Sequence, residues 1–334
     1  MKPSRPVCED AALSVLLLTA ASASAEFKIE GQGILFYTDD IGIFSATRRL
    51  SRDSDPTQPA IDSQLTNKGS AIVFEPDLDV SKAFANRYGT TTVDVKGQGF
   101  IFADNARFNQ SSVRVQAVHE FNPETRIRFR FYYAPNQFLG DNEEHQSGTD
   151  QIVPESLTSY IWSARIEHVL TPGLEVRLLG RYGMRRYNQS FSERNTDFWT
   201  IGPHVDWTIK PWVKLGLSYH YERGLAEGRN EPQFHDDVSY INNYLSADLD
   251  FDLTERLTLL TALHYELNIW TSNIVGDERY GAHENVYQGE AILVYRLTDS
   301  MRPFVGVQRS NRKQSFETEG AKNTNVGIGL NFVF

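Results

Sequence analysis

From Asn323 to Phe334 the chain reads NTNVGIGLNFVF. Val326, Ile328, Leu330, Phe332 and Phe334 share one parity, while Asn325, Gly327, Gly329 and Asn331 share the other. Successive side chains of a strand point to opposite faces. The segment is therefore an extended strand with one apolar face and one small or polar face. Soluble proteins seldom end on an apolar strand that closes on Phe.

The same alternation recurs along the chain. Leu257, Leu259, Leu263, Tyr265, Leu267 and Ile269 oppose Thr258, His264, Glu266 and Asn268. Ile241, Leu245, Ala247, Leu249, Phe251 and Leu253 oppose Asn242, Tyr244, Ser246, Asp248, Asp250 and Asp252. Val213, Leu215, Leu217, Tyr219 and Tyr221 oppose Lys214, Ser218, His220 and Glu222. The pattern predicts strands at 27–38, 71–82, 92–103, 112–121, 125–134, 157–169, 174–186, 197–208, 213–223, 239–252, 257–270, 286–297, 302–313 and 324–334. Each has the ~9–11 residues, or slightly more, that a tilted membrane-spanning strand needs.

Connections alternate between short and long. The short ones carry turn chemistry: Asn122-Pro123, Pro172-Gly173, Lys210-Pro211, Thr254-Glu255-Arg256 and Asp299-Ser300. Long loops are expected at 39–70 and 135–156, with shorter ones near 187–196, 224–238, 271–285 and 314–323. Pro76 and Pro203 fall inside strands and remove ladder donors, so bulges are expected there.

The terminal strand, with its closing Phe334 and the apolar alternation before it, resembles that of Gram-negative outer-membrane β-barrels. The resemblance implies an all-β fold: a transmembrane antiparallel up-and-down barrel of about fourteen strands with both termini periplasmic. It further implies contact with outer-membrane lipid and recognition of Phe334 by the barrel-assembly machinery.

The beginning of the chain agrees. Lys2 and Arg5 precede an apolar run from Ala11 to Ala20, and Ala23-Ser24-Ala25 offers an A-x-A cleavage site. Residues 1–25 read as a signal peptide and 26–334 as one barrel domain, whose first strand follows too closely for an N-terminal plug. Glu9 and Asp10 ahead of the apolar run depart from the usual signal pattern. Cleavage would remove Cys8, the only cysteine, and with it thiol chemistry. A large soluble β-sandwich alternates in the same way and stands as the competing fold.

Composition narrows function. The net charge of −10 gives no general affinity for nucleic acid. The 20 Phe, 15 Tyr and 5 Trp suffice for two interfacial aromatic belts. Tyr37, Tyr133, Trp162, Tyr182, Trp199 and Tyr221 fit an upper belt; Phe27, Phe121, Trp207, Trp212, Phe251, Tyr295 and Phe334 fit a lower one.

With the polar parity turned inward, charges segregate by strand. Arg114, Arg126, Arg128, Arg130, Arg165, Arg177, Arg181 and Arg185 form a basic wall, with Glu120, Glu167 and Glu175 as its acidic exceptions. Glu75, Asp77, Asp79, Asp248, Asp250, Asp252 and Glu266 belong to an acidic remainder. A dry core does not hold so many ions, whereas a wet lumen does. Opposed charged walls orient polar solutes and set ion preference. The simpler alternative is a ladder of neighbouring pairs, such as Glu120 with Arg126 and Glu175 with Arg177.

The expected function is passive diffusion of small hydrophilic solutes or ions, with no cofactor. Two alternatives are a specific export or uptake pore working with periplasmic partners, and a structural or adhesive barrel acting through its external loops. Loops 39–70, with Arg48, Arg49 and Arg52, and 135–156, with Asp141, Glu143, Glu144 and Asp150, are candidates to narrow the pore; the second also offers carboxylates to a divalent cation. No assembled nucleophile–base–acid set argues for an enzyme. His119 and His168 sit on the lipid-facing parity near short turns. His220 and His264, near Glu222 and Glu266, are either a proton-sensitive gate or part of a polar wall. The motif Ile29–Phe36 (IEGQGILF) is echoed by Val95–Phe102 (VKGQGFIF), through shared barrel grammar or an ancestral hairpin duplication.

Overall fold

The computed structural model describes residues 27–50 and 69–334. The proposed signal peptide, Cys8 and Arg52 lie outside the described residues. Fourteen antiparallel strands close into one barrel, each paired with its sequence neighbours and β1 with β14. They are β1 (Phe27–Thr38), β2 (Ala71–Asn86), β3 (Gly89–Phe102), β4 (Gln110–Asn122), β5 (Thr125–Glu143), β6 (Ile152–Thr171), β7 (Leu174–Tyr187), β8 (Thr196–Lys210), β9 (Val213–Ala226), β10 (Tyr240–Asp252), β11 (Leu257–Trp270), β12 (His283–Tyr295), β13 (Met301–Gln314) and β14 (Ala321–Val333). Among the described residues one short α-helix, α1 (Ile41–Arg48), follows β1.

Closure satisfies the backbone groups that an open edge would leave bare. The seam runs from Glu30 opposite Val333 to Thr38 opposite Asn325. Beyond it, Ile29 and Phe334 exchange backbone hydrogen bonds of 3.0 and 2.8 Å. One parity of each strand faces out and is mostly apolar: Leu35, Phe74, Val95, Val115, Phe129, Ile166, Leu217, Leu245, Leu263, Val307 and Ile328 are all exposed. The other parity faces in and carries most of the buried polar groups. Aromatic pairs cross adjacent strands on the outer face, as in Trp162 with Tyr182 at 6.2 Å and Trp199 with Tyr221 at 5.4 Å.

Short turns gather at one end of the barrel, together with Phe27 and Phe334; longer connections gather at the other. The turn Asn86–Gly89 needs glycine: Gly89 has φ of +134°, and a Cβ there would strike the Glu120 carbonyl. His119 and His168 lie on the outer face at this end, hydrogen-bonded to Thr91 (2.8 Å) and Thr125 (2.9 Å).

Two expectations need correction. The segment 135–156 is not a long loop. β5 and β6 continue to Glu143 and from Ile152, leaving only 144–151 as a connection. Register slips between Ala134 and Gln137 and again between Phe138 and Gly140. Each slip disturbs the period-two pattern that marks a strand. Neither proline creates a bulge. Pairing of β2 with β3 lapses around Pro76, and pairing of β8 with β9 around Pro203, but both resume in the same register. The missing donor costs ladder bonds without adding a residue.

Candidate functional site

The inward parity is not uniformly polar. At the loop end of β1–β3 it presents Ile34, Phe36, Ala71, Val73, Phe100 and Phe102. α1 folds into the barrel against this patch. Phe44 is wholly buried there, edge-on to Phe36 (5.7 Å), Phe100 (5.9 Å) and Phe102 (5.7 Å). Such T-shaped contacts add to the burial energy. Asp40 accepts the Gly42 N–H at 2.9 Å, holding the helix start.

The next residues bridge the lumen. Arg48 pairs with Glu75 of β2, Nε to Oε2 at 3.0 Å, while its guanidinium lies 4.6 Å from the Phe36 ring centre. Arg49 pairs with Glu266 of β11. Leu50 packs on Tyr244 of β10 and Val286 of β12. Adjacent residues thus bind strands that are separated around the wall by β1, β14, β13 and β12. Only a chord through the interior makes both contacts. Arg48 and Arg49, expected in a constricting loop, do occupy the lumen.

The basic wall divides by depth. Near the short turns, Arg126 and Arg128 both pair with Glu167, and Arg165 lies 3.9 Å from it. Arg126 also reaches Glu175 at 3.1 Å, and Arg177 binds Glu175 at 2.6 Å and Asp206. Arg114 holds Asp79 at 2.6 Å and Asp94 at 3.3 Å. Arg130 donates to Gln116 at 3.0 Å. The side chains of Arg114, Arg126, Arg128 and Arg177 each remain 24% exposed, so this half of the lumen is wet.

Farther from the turns, Arg181 and Arg185 are enclosed, at 2% and 5% exposure, within 3.6 and 3.9 Å of Glu222. Glu222 also accepts from Thr200 (2.6 Å) and Tyr240 (2.7 Å), and Arg185 donates to the Tyr240 hydroxyl at 3.0 Å. This is a packed polar layer.

The pairing is largely a ladder between nearby strands. Of the pairs foreseen, Arg177 with Glu175 forms; Arg126 turns to Glu167 and Glu175, away from Glu120. On the acidic side, Glu75 and Glu266 are buried under Arg48 and Arg49, and Asp77 binds Lys96 at 3.0 Å. Asp248 and Asp250 are half-buried on β10, and Asp252 is exposed and accepts from Thr258 at 2.8 Å. His220 and His264 flank Tyr244, at 5.4 and 6.0 Å between ring centres, and the Tyr244 hydroxyl lies 2.8 Å from His264 Nδ1. They belong to the polar wall that Leu50 touches.

A second covering lies over β6–β11 and was not foreseen. Arg194 binds Glu155 (2.8 Å) and Asp236 (2.5 Å), and Arg279 binds Asp236 at 2.8 Å. Phe191 is fully buried beneath the Arg194 guanidinium, 4.9 Å away. Burial alone would raise the Asp236 pKa, but Arg194 and Arg279 hold it below the ordinary value. At the β5–β6 tip, Glu143, His145 and Asp150 bring ligand-type atoms within 4.8 Å of one another, none of them buried.

No family model matches the chain, and no curated protein matches it. Solved barrels do. The outer-membrane channel DcaP of Acinetobacter baumannii superposes with a TM-score of 0.54 at 9% identity, over 95% of this chain and 100% of that one. An anion-selective porin from Comamonas acidovorans gives 0.50 at 9% identity, over 93% and 99%. A structure described as a bacterial polysaccharide outer membrane secretin gives 0.50 at 9%, over 94% and 100%. At this identity the likeness establishes a shared fold: this chain has the closed antiparallel barrel of outer-membrane channels.

Proposed function

We propose that the protein is a channel of the Gram-negative outer membrane that passes small hydrophilic solutes, with its aperture set by residues 41–50. One observation carries this reading: Arg48 and Arg49 bind opposite ends of an interior chord, above a lumen that is wet and charged. The apolar outer face supports placement in a bilayer. The fold shared with outer-membrane channels supports the same placement, with residues 1–25 as its signal peptide. Solutes would meet Arg114, Arg126, Arg128, Arg130, Arg165 and Arg177 on one side, which orient anionic groups. Charged rings of this kind set ion preference. The proposal involves no covalent step.

The test is single-channel conductance of the refolded barrel in a planar bilayer, with the reversal potential under a salt gradient. Steady conductance is expected. Arg128→Glu with Arg130→Glu should move the reversal potential towards cation preference; an unchanged potential would refute a role for the basic wall. A folded but silent wild-type barrel would refute passive diffusion. The double anchoring of 41–50 favours one second reading, an occluded pore that opens when a partner displaces the segment. That pore would conduct only after Phe44 is replaced.

A further inference from the structure

The outer face of the barrel is mostly apolar, and polar residues enter it towards the loop end, among them a group on β13 and β14. There Arg309, Asn311 and Lys313 of β13, and Lys322 and Thr324 of β14, point outward. Register sets Arg309 beside Gly289 and Thr324, and Asn311 beside Tyr287 and Lys322. Arg309 donates to the Thr324 hydroxyl at 2.8 Å. Among the described residues, no carboxylate forms an ion pair with Arg309, Lys313 or Lys322. The contrast is Arg186, an outward cation on β7 that Asp197 holds at 2.5 Å.

Beside these cations the wall is hollow. Ala247 and Gly289 leave gaps on either side of Leu263, their shared neighbour in the register. Leu245, Leu263, Tyr265 and Tyr287 flank the hollow, and Arg309 and Lys322 stand at its edge. The cavity is about 680 Å³, within the usual ligand-site range of roughly 300–1,000 Å³. A Cβ on Gly289 would make ordinary contact with the Leu263 side chain at 3.4 Å, so Leu263 borders the gap above this glycine and a larger side chain there would take up the remaining room.

Cations on a lipid-facing wall are costly in hydrocarbon and tolerable near the interface, where anionic headgroups attract them. An apolar hollow running up to unmatched cations has the shape and charge of an anionic lipid. Building on the membrane placement above, we infer that this groove binds a phosphorylated lipid: an acyl chain lies over Ala247 and Gly289, and the phosphate is held by Arg309, Lys322 and Lys313.

The full mature chain would be refolded in detergent and examined by native mass spectrometry with phosphatidic acid or phosphatidylcholine added. Phosphatidic acid adducts should dominate. Arg309→Gln with Lys322→Gln should weaken them roughly thirtyfold, the combined attraction of two cations for an anionic headgroup. Gly289→Leu, which fills the hollow and leaves every charge in place, should weaken both lipids. Equal retention of the two lipids by the wild type, or unchanged adducts in both variants, would overturn the inference. So would a wild-type dimer that either variant dissolves, because a second copy would then cover this face. Flotation with phosphatidylcholine vesicles keeps the two readings apart. A barrel that floats without headgroup preference loses only the lipid site; one that does not float loses the membrane placement as well.

Discussion

The barrel is covered from within in two physically different ways. Over β1–β3 the cover is α1, held by aromatic packing around Phe44 and by one arginine to each side of the chord. Over β6–β11 the cover is a set of loops held by Arg194, Asp236, Arg279 and Glu155. The first wall supplies Phe36, Phe100 and Phe102 on its inward parity; the second supplies carboxylates and hydroxyls. A wall that turns rings inward can dock a helix, and a wall that turns charges inward must match them pair by pair. The two covers should therefore fail under different perturbations.

Phe44→Ala should have the largest effect. Truncating a buried Phe costs about 3–5 kcal/mol, more than a hundredfold in the docked population. The loss falls on the contact between α1 and the wall, while the strands keep their ladder. Open-state conductance should rise, with the unfolding midpoint in urea little changed. If conductance stays at the wild-type level, α1 does not set the aperture. Asp236→Asn should open the other cover. It leaves Arg194 with Glu155 alone and Arg279 without its nearest acid, at a cost of about 3 kcal/mol for a broken buried pair. Amide exchange should accelerate across 189–194 and around Arg279 while α1 stays protected. Acceleration in both places would mean that the covers act as one unit.

Arg49→Ala should be milder, at about 1–2 kcal/mol. Glu266 keeps the Asn242 amide at 2.6 Å, and Phe44 still anchors the helix. The expected result is faster closing and opening in single-channel records at unchanged full amplitude. A changed amplitude would place Arg49 at the narrowest point.

The strands were legible because their alternation is local. β1 and β11 begin and end where the pattern does, at 27–38 and 257–270. The docking patch was legible in principle. In GILFY and GFIF the alternation breaks and apolar residues fill both parities, so some must point inward. The echo between those two segments does not extend to packing: a Cβ on Gly31 would strike the Phe332 ring, whereas on Gly97 it would meet nothing within 4 Å. The upper β5–β6 hairpin was hidden by its two register slips and by its polar composition. The choice of Glu167 by three arginines depends on register between β5 and β6 and on side-chain reach, which parity does not encode. The Arg194–Asp236–Arg279 cluster joins three loops far apart in sequence, so nothing local announces it.

The finest distinction between the covers is their response to pH, and it rests on Glu193. This carboxyl is buried beside the ionic cluster, and burial pushes its pKa from 4.5 up to about 7. Gln146 donates to one oxygen at 2.8 Å, and the other has no hydrogen-bond partner among the described residues. Between pH 4.5 and about 7 the packed loop holds a proton that the opened loop releases. Its packing is therefore firmest below 4.5 and weakens as pH rises through about 7. Asp236, held ionised by its two arginines, does not follow the same course. Amide exchange across 189–194, corrected for intrinsic rate, should accelerate over that window. Glu193→Gln should flatten the profile at the protected level, and His145→Gln separates any contribution from the neighbouring His145–Asp150 pair. The helix held by Phe44 should show no such slope. A matching slope at residues 41–48 would mean that proton release at Glu193 loosens both covers together.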